Sequence, residues 1–250
     1  MIAKALRSPR RALLYGLLGP VRYRRLMADV DAETRAEWLG KQVRETDDVR
    51  AKFHLLSFHS GAVQQTYWLG VPLQKSPLDC WIYQEIIAEL HPDVIVETGT
   101  DLGGSALFFA SICDLIGHGQ VVSIDIRQPP SITHDRIEFI RGDSTSDDVL
   151  AKVSAATRQS ARTMVVLDSD HSRSHVLREL DRYRGFVTVG SYLVVEDTNV
   201  NGHPVMPDHG PGPFEAVEEF LLEHPEFEVD RTREKFLLTY FPGGYLKRIA

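Results

Sequence analysis

Between residues 94 and 195, short apolar runs rich in β-branched residues alternate with segments in which apolar positions recur at helical spacing. The apolar runs predict buried strands, and the others predict helices. The predicted strands cover Val94–Glu97, Val121–Asp125, Ile137–Ile140, Met164–Leu167 and Tyr192–Val195. Helices are predicted over Asp79–Leu90 (with Asp79 as N-cap), Gly103–Ile116, Ser172–Tyr183 and Phe214–Leu222. A strand at Phe227–Val229 and another near the C-terminus close the chain.

Alternation of strands and helices indicates βαβ units, which build a mostly parallel sheet with helices on both faces. The predicted fold class is therefore α/β with a Rossmann-like sheet. Ligands of such sheets bind at the carboxyl ends of the strands. The residues that follow each predicted strand are thus the candidates for a functional site.

The first 50 residues differ in character from the rest. Seven basic residues and no acid lie between Met1 and Met27, interleaved with leucines, and charges of both signs then alternate to Arg50. We predict a basic, helical extension over residues 1–50 and a second domain over residues 51–250. The extension either packs on that domain or across an oligomer interface, or lies on an anionic membrane surface.

Composition narrows the choice of function. The chain has 250 residues, of which 43% are hydrophobic and 25% charged, and no apolar run is long enough to span a membrane. A formal net charge of −7 argues against broad binding of nucleic acid. The two cysteines, Cys80 and Cys113, form no C-x-x-C pair. This excludes a disulfide framework or a thiolate zinc site and favours a cytoplasmic protein.

Acidic residues follow all five predicted strands. Glu97 and Asp125 end the first two, Asp143 follows the third, and the last two end in Asp168 and in Glu196-Asp197. One such residue is often only a helix cap. Five at one sheet edge concentrate negative charge, so we expect a cation or a hydroxyl-rich ligand there.

The glycine loop after the first strand is the sharpest single motif. Gly99 and Gly103 are spaced G-x-x-x-G, which differs from the dinucleotide fingerprint, and the chain has no P-loop motif. Glu97 would repel a pyrophosphate at this turn but would attract an amino group. The loop therefore points to S-adenosylmethionine (SAM), with its ribose hydroxyls at Asp125.

These motifs also resemble those of a known family. Glu97–Ser105 is similar to the cofactor loop of class I SAM-dependent O-methyltransferases of the catechol type. The chain from about Tyr67 onward more closely resembles the cephalosporin hydroxylase and rhamnosyl O-methyltransferase family. The stretches that carry this resemblance are Trp81–Glu85, Asp168–Ser172, Val194–Asn199, Asn201–Val205 and Gly210–Pro213. It implies a class I methyltransferase fold, action on a sugar and assembly into a homo-oligomer.

The resemblance also assigns roles to individual residues. Glu97 and Ser105 would hold the methionine part of SAM, and Gly99 and Gly103 would let the backbone approach it. Asp125 would bind the ribose, and Asp143 and Ser144 the adenine. The implied magnesium ligands are Asp168 (counted with the cofactor site as well), Glu196 and Asp197. The catechol-type pattern has an amide where this chain has Asp197, and the added charge should strengthen the need for a divalent ion.

Elementary chemistry agrees with a metal-assisted reaction. Carboxylate oxygens suit Mg²⁺ or Mn²⁺, and a bound metal would acidify an otherwise poorly nucleophilic sugar hydroxyl. His171 is the first candidate for the base, followed by His203 and His209. The alternative for His171 is a structural bond to the carboxylates. The glycine- and proline-rich stretch 201–213 is either a lid over the acceptor or a surface connection. Tyr67, Trp68 and Lys75 would wall the cofactor or acceptor pocket, and for Trp68 packing in the core is the alternative.

The leading hypothesis is a Mg²⁺-dependent, SAM-dependent O-methyltransferase of a rhamnose- or mannose-type hexose in a glycolipid or polysaccharide. A methyltransferase of small natural products is the alternative within that class. An iron oxygenase would need two histidines and one carboxylate to converge. A non-catalytic scaffold docked through the basic extension is the remaining alternative.

Overall fold

The computed structural model describes residues 49–250, and residues Lys52–Ala250 form one compact unit. The predicted helical extension, with its membrane or oligomer contact, lies almost entirely outside the described residues and stays a prediction. Within residues 49–250, no helix is both long and apolar enough to cross a bilayer.

A hairpin of two short strands comprises β1 (Tyr67–Trp68) and β2 (Val71–Pro72). The centre of this unit is a separate sheet of seven strands, which are β3 (Val94–Thr98), β4 (Gln120–Asp125), β5 (Ile137–Arg141), β6 (Thr163–Leu167), β7 (Tyr192–Val195), β8 (Phe227–Val229) and β9 (Tyr245–Arg248). Their order in the sheet is β5-β4-β3-β6-β7-β9-β8. Strands β3 to β7 pair in parallel, and β9 runs antiparallel to both of its neighbours. The predicted α/β class is confirmed.

Helices cover both faces of the sheet because side chains of the central strands alternate between two hydrophobic clusters. Ile95 of β3 packs into one cluster, with the helices α1 (Pro77–Leu90) and α2 (Gly104–Ile116). Its neighbours Val94 and Val96 pack into the other. That second cluster includes residues of α3 (Asp147–Thr157), α4 (Arg173–Tyr183) and α5 (Pro213–Glu223). Every residue of β3, β6 and β7 is buried, which explains their continuous apolar runs.

Asp79 does not cap the first helix, contrary to the prediction. The helix begins at Pro77 with Ser76 at the N-cap position. The Asp79 side chain is buried and accepts hydrogen bonds from Thr239 Oγ1 (2.5 Å), Tyr240 N (3.0 Å) and Tyr245 OH (2.9 Å). Asp79 thus joins α1 to the C-terminal segment. Burial raises the pKa of Asp79 to about 6, against the lowering effect of these hydrogen bonds.

The β1–β2 hairpin is not among the elements predicted from the sequence. Its two-residue turn, Leu69-Gly70, has positive φ angles of 48° and 86°, as a tight hairpin turn requires. Trp68 packs edge-on against Phe108 of α2 and donates from Nε1 to Ser111 Oγ (3.0 Å). The hairpin is thereby fixed over the beginning of α2.

Candidate active site

A cavity of about 660 Å³ opens at the carboxyl ends of the parallel strands. Of the thirteen residues predicted for the site, eight line it. They are Gly99, Ser105, Asp125, Asp143, Ser144, Asp168, His171 and Asp197. The cavity wall does not include the other five, which are Glu97, Gly103, Glu196, His203 and His209.

The glycine loop passes very close to the end of β6. A Cβ atom on Gly99, whose φ is +88°, would lie 1.9 Å from the carbonyl oxygen of Asp168. Gly103 adopts φ 82° immediately before α2, and the first turn of that helix then presents Ser105 to the cavity. A helix N-terminus carries partial positive charge and unpaired N–H groups, so this wall of the cavity favours a ligand carboxylate.

Gly104 allows the hairpin to close over the loop. A Cβ atom here would lie 2.0 Å from the carbonyl oxygen of Pro72 and 2.7 Å from Leu73 Cα, and both neighbours line the cavity. We expect Gly104→Ala to displace this segment and weaken binding of S-adenosylhomocysteine at least about tenfold, since a backbone clash cannot be relieved by rotamer changes. Gly185→Ala is the control, because Gly185 has open space around it. Calorimetric titration of both variants tests this, and equal affinities would contradict the expectation.

Glu97 lies beneath this loop and is fully buried. Its Oε2 accepts a hydrogen bond from Ser123 Oγ (2.6 Å), whereas no described residue makes a hydrogen bond of good geometry to Oε1. Burial raises the pKa of Glu97 to about 7, although the charge of Lys75 and the hydroxyls of Ser105 and Ser123 lower it. An orphaned buried carboxylate oxygen fits a ligand that brings a cationic donor to this loop.

Asp125 ends β4 and carries a network of polar contacts at the cavity wall. It accepts hydrogen bonds from the backbone N–H groups of Asp101 (2.9 Å) and Arg127 (2.8 Å). The Arg127 side chain also pairs with Asp101 (2.8 Å), which in turn accepts from Gln74 Nε2 (2.6 Å). A ribose diol at Asp125 would therefore meet a carboxylate whose orientation is already fixed.

At the far end of the cavity, Asp143 accepts hydrogen bonds from the N–H and hydroxyl groups of Thr145 (both 2.8 Å). His175, which the sequence analysis missed, also lines the cavity here. Its Nε2 lies 3.3 Å from Ser144 Oγ and 3.1 Å from Ser169 Oγ. His175 lies in the first turn of the helix that follows Asp168 and His171, and this position next to two predicted site residues is the signal that could have identified it.

Three side chains converge where the cavity reaches β6 and β7. Ligand atoms of Asp168, His171 and Asp197 lie within 4.8 Å of one another, the one such group found in residues 49–250. His171 Nε2 is 3.4 Å from Asp197 Oδ2, and both side chains are about one-third exposed. The two carboxylates offer the oxygen ligands that Mg²⁺ or Mn²⁺ prefers, and the imidazole of His171 lies beside them. This group has one histidine, whereas the iron-oxygenase hypothesis needs two.

Glu196 is not one of these three side chains, and it is buried. Its carboxylate accepts hydrogen bonds from Lys75 Nζ (2.6 and 2.7 Å) and from Tyr83 OH (2.7 Å). Lys75 Nζ also donates to Asp168 Oδ2 (2.7 Å). The role of Glu196 as a metal ligand stays a prediction, and its oxygens already have partners. Lys75 neither lines the cavity nor packs in the apolar core, but binds the acidic cluster from behind.

The three candidate bases have different surroundings. His171 faces the cavity, whereas His203 stacks on Phe214 (3.8 Å between ring centroids) with its Nε2 3.0 Å from Glu215 Oε1. Glu215 also accepts hydrogen bonds from Asn201 Nδ2 (2.8 Å) and Gly212 N (2.7 Å), and so ties together both ends of the 201–213 loop. His209 donates from Nδ1 to the carbonyl oxygen of Gly210 (3.1 Å). Among the three, the geometry favours His171 for contact with a ligand.

Comparisons with known proteins bear on the family and the fold of the chain. The family model described as Rhamnosyl O-methyltransferase/CmcI matches residues 60–249. The rhamnosyl O-methyltransferase of Mycobacterium leprae (strain TN) is 38% identical over 216 residues, which cover 84% of this chain and 94% of that protein. The rhamnosyl O-methyltransferase of Mycobacterium bovis (strain BCG / Pasteur 1173P2) is 37% identical over 213 residues, covering 82% and 87%.

Solved structures of CmcI share the fold. The apo structure superposes with a TM-score of 0.59 at 22% identity and covers 75% of this chain and 77% of that chain. A Mg–SAM structure gives a TM-score of 0.58 at 20% identity, covering 75% and 78%. The prediction of a class I methyltransferase sheet is therefore confirmed.

Proposed function

Since the chain belongs to the Rhamnosyl O-methyltransferase/CmcI family, we propose that it transfers the methyl group of SAM to a hydroxyl of a rhamnose-type sugar, with a divalent cation. The family match supports methyl transfer, and the names of the mycobacterial relatives support a rhamnosyl acceptor. The observation that carries the proposal is the group Asp168, His171 and Asp197 at one end of a cavity whose wall includes the glycine loop. A glycolipid or polysaccharide would present such a sugar.

The residues present fit SAM. The orphaned Glu97 oxygen and the N-terminus of α2 would hold the ammonium and carboxylate of its methionine part. Asp125 would accept hydrogen bonds from the ribose hydroxyls. Asp143 and Ser144 would contact the adenine, next to His175.

The oxygen-rich group fits Mg²⁺ or Mn²⁺, with Asp168 and Asp197 as carboxylate ligands and Glu196 as the third predicted ligand. When bound, the ion supplies Lewis acidity that lowers the pKa of a coordinated sugar hydroxyl. His171 would accept the proton of the acceptor hydroxyl, because its imidazole faces the cavity at the acidic end. Asp197, 3.4 Å from His171 Nε2, orients the imidazole and stabilises its protonated form.

Thermal unfolding tests cofactor binding without a choice of acceptor. S-adenosylhomocysteine at 100 times its Kd should stabilise the protein by about 2.7 kcal/mol. For a domain of this size we expect Tm to rise by about 5–10 °C, whereas NAD should give no shift. A shift with NAD, or none with S-adenosylhomocysteine, would contradict the proposed cofactor.

The acceptor class is tested separately, with an aryl rhamnoside, an aryl mannoside and a catechol offered in parallel. We expect methylation of the rhamnoside and detect it by mass spectrometry of the product. Methylation of the catechol in preference to both sugars would instead support the natural-product alternative.

A further inference from the structure

Lys75 is a buried cation next to the proposed metal group. It is 4% exposed, and no other described lysine or arginine is buried. Its Nζ lies 2.7 Å from Asp168 Oδ2 and 2.6 Å from Glu196 Oε2. Lys75 comes from the segment between β2 and α1, so it reaches the ends of β6 and β7 from outside the sheet.

The surrounding charges explain why a lysine is stable at this place. Burial of an ammonium group is costly unless anionic partners surround it. Besides Asp168 and Glu196, Glu97 acts on Lys75 electrostatically. Burial by itself would lower the pKa of Lys75, but these three carboxylates outweigh it and raise the pKa well above its usual value. The short contacts to Asp168 (2.7 Å) and Glu196 (2.6 Å) thus pair the buried ammonium group with two carboxylates.

Lys75 and a divalent ion would share the same carboxylates. Asp168 bonds Lys75 through Oδ2 and also belongs to the group with His171 and Asp197 that faces the cavity. Glu196 is the third predicted ligand, and both of its carboxylate oxygens accept hydrogen bonds from Lys75 Nζ. An ion that binds at this edge of the sheet would therefore bind carboxylates whose negative charge Lys75 already partly neutralises.

We propose that Lys75 is the resident counter-cation of the acidic cluster, which keeps Asp168 and Glu196 in place before a divalent ion binds and competes with that ion for them. The competition rests on the proposed function, whereas the stabilising role of Lys75 does not. Lys75 is a positioning residue, because it acts through the two carboxylates and lies outside the cavity wall.

The variant Lys75→Met separates the stabilising role of Lys75 from its competition with the divalent ion. Lys152→Met is the matched control. Lys152 is an exposed lysine that pairs with Asp148 (2.7 Å) on the surface of α3. In EDTA at pH 8, Lys75→Met should unfold about 10 °C below the wild type, because buried carboxylates lose their cation. Its affinity for Mn²⁺, measured by electron paramagnetic resonance, should be about tenfold higher than that of the wild type, because a repelling charge is gone. Lys152→Met should match the wild type in both measurements.

The double variant Lys75→Met/Glu196→Gln distinguishes lost charge from lost packing. It removes one positive and one negative charge, so we expect it to regain most of the Tm lost in Lys75→Met. A double variant as unstable as Lys75→Met would overturn the counter-cation role, and this readout also applies if the single variant fails to fold at 37 °C.

Equal Mn²⁺ affinity in the wild type and Lys75→Met would overturn the competition while leaving the proposed function intact. A wild-type protein that binds no Mn²⁺ would contradict the metal part of the proposed function, and with it the competition. The Tm comparison would then still decide the stabilising role of Lys75.

Discussion

Asp197→Asn is expected to reduce kcat for methyl transfer about tenfold or more, because the amide keeps an oxygen for the proposed ion but removes one of the negative charges that would hold it. Binding of S-adenosylhomocysteine should stay within about threefold of the wild type, since the predicted cofactor contacts lie on other strand ends. The expected loss is therefore in the chemical step rather than in cofactor affinity.

The backbone conformation at residue 197 accepts an asparagine, so Asp197→Asn should change the charge of the side chain without disturbing the fold. Asp197 has φ 52°, a left-handed conformation that asparagine tolerates better than most residues. The amide has the size of the carboxylate, and neither oxygen of Asp197 bonds Lys75 in the structure. Asp148→Asn is the control, because Asp148 is 78% exposed on α3. Radiolabelled methyl transfer gives kcat, and wild-type turnover by Asp197→Asn would remove Asp197 from the proposed site.

Asp79→Ala is expected to lower the free energy of unfolding by about 3–5 kcal/mol, because it leaves three buried donors without an acceptor. Those donors are Thr239 Oγ1, Tyr240 N and Tyr245 OH. Urea denaturation measures the loss. A change below 1 kcal/mol would mean that Asp79 does not hold the C-terminal segment to α1.

The same residue gives a pH dependence with a definite sign. Burial raises the pKa of Asp79 from 3.8 to about 6, so the folded protein binds its proton more tightly than the unfolded chain. The resulting stabilisation is complete below pH 4 and is lost as the pH rises through 6. Relative to Asp79→Asn, which does not titrate there, the wild type should lose up to about 3 kcal/mol between pH 4 and 7. A wild type that gains stability relative to Asp79→Asn as the pH rises from 4 to 7 would contradict this assignment.

The central strands could be predicted because they are buried on both faces and read as continuous apolar runs. Helix α3 could not, since only Val149 and Val153 of its eleven residues are buried. The β1–β2 hairpin was missed because each strand has two residues and its turn begins with leucine, a residue seldom found at positive φ.

The location of the site followed from topology, because parallel strands bring their carboxyl ends to one edge. The hydrogen-bond partners of each acidic side chain did not follow from the topology of the sheet. Glu196 and Lys75 are 121 residues apart, and no periodicity connects a loop lysine with a strand end. Likewise His54 Nε2 lies 2.9 Å from Asn199 Nδ2, although 145 residues separate them along the chain.

The proposed function is tested by methyl transfer from labelled SAM to an aryl rhamnoside, with protein that has been treated with EDTA and is assayed before and after addition of Mg²⁺. We expect an O-methylated rhamnoside to form with Mg²⁺ and to be absent in EDTA. Equal rates with and without the ion, or no methylated sugar under either condition, would contradict it.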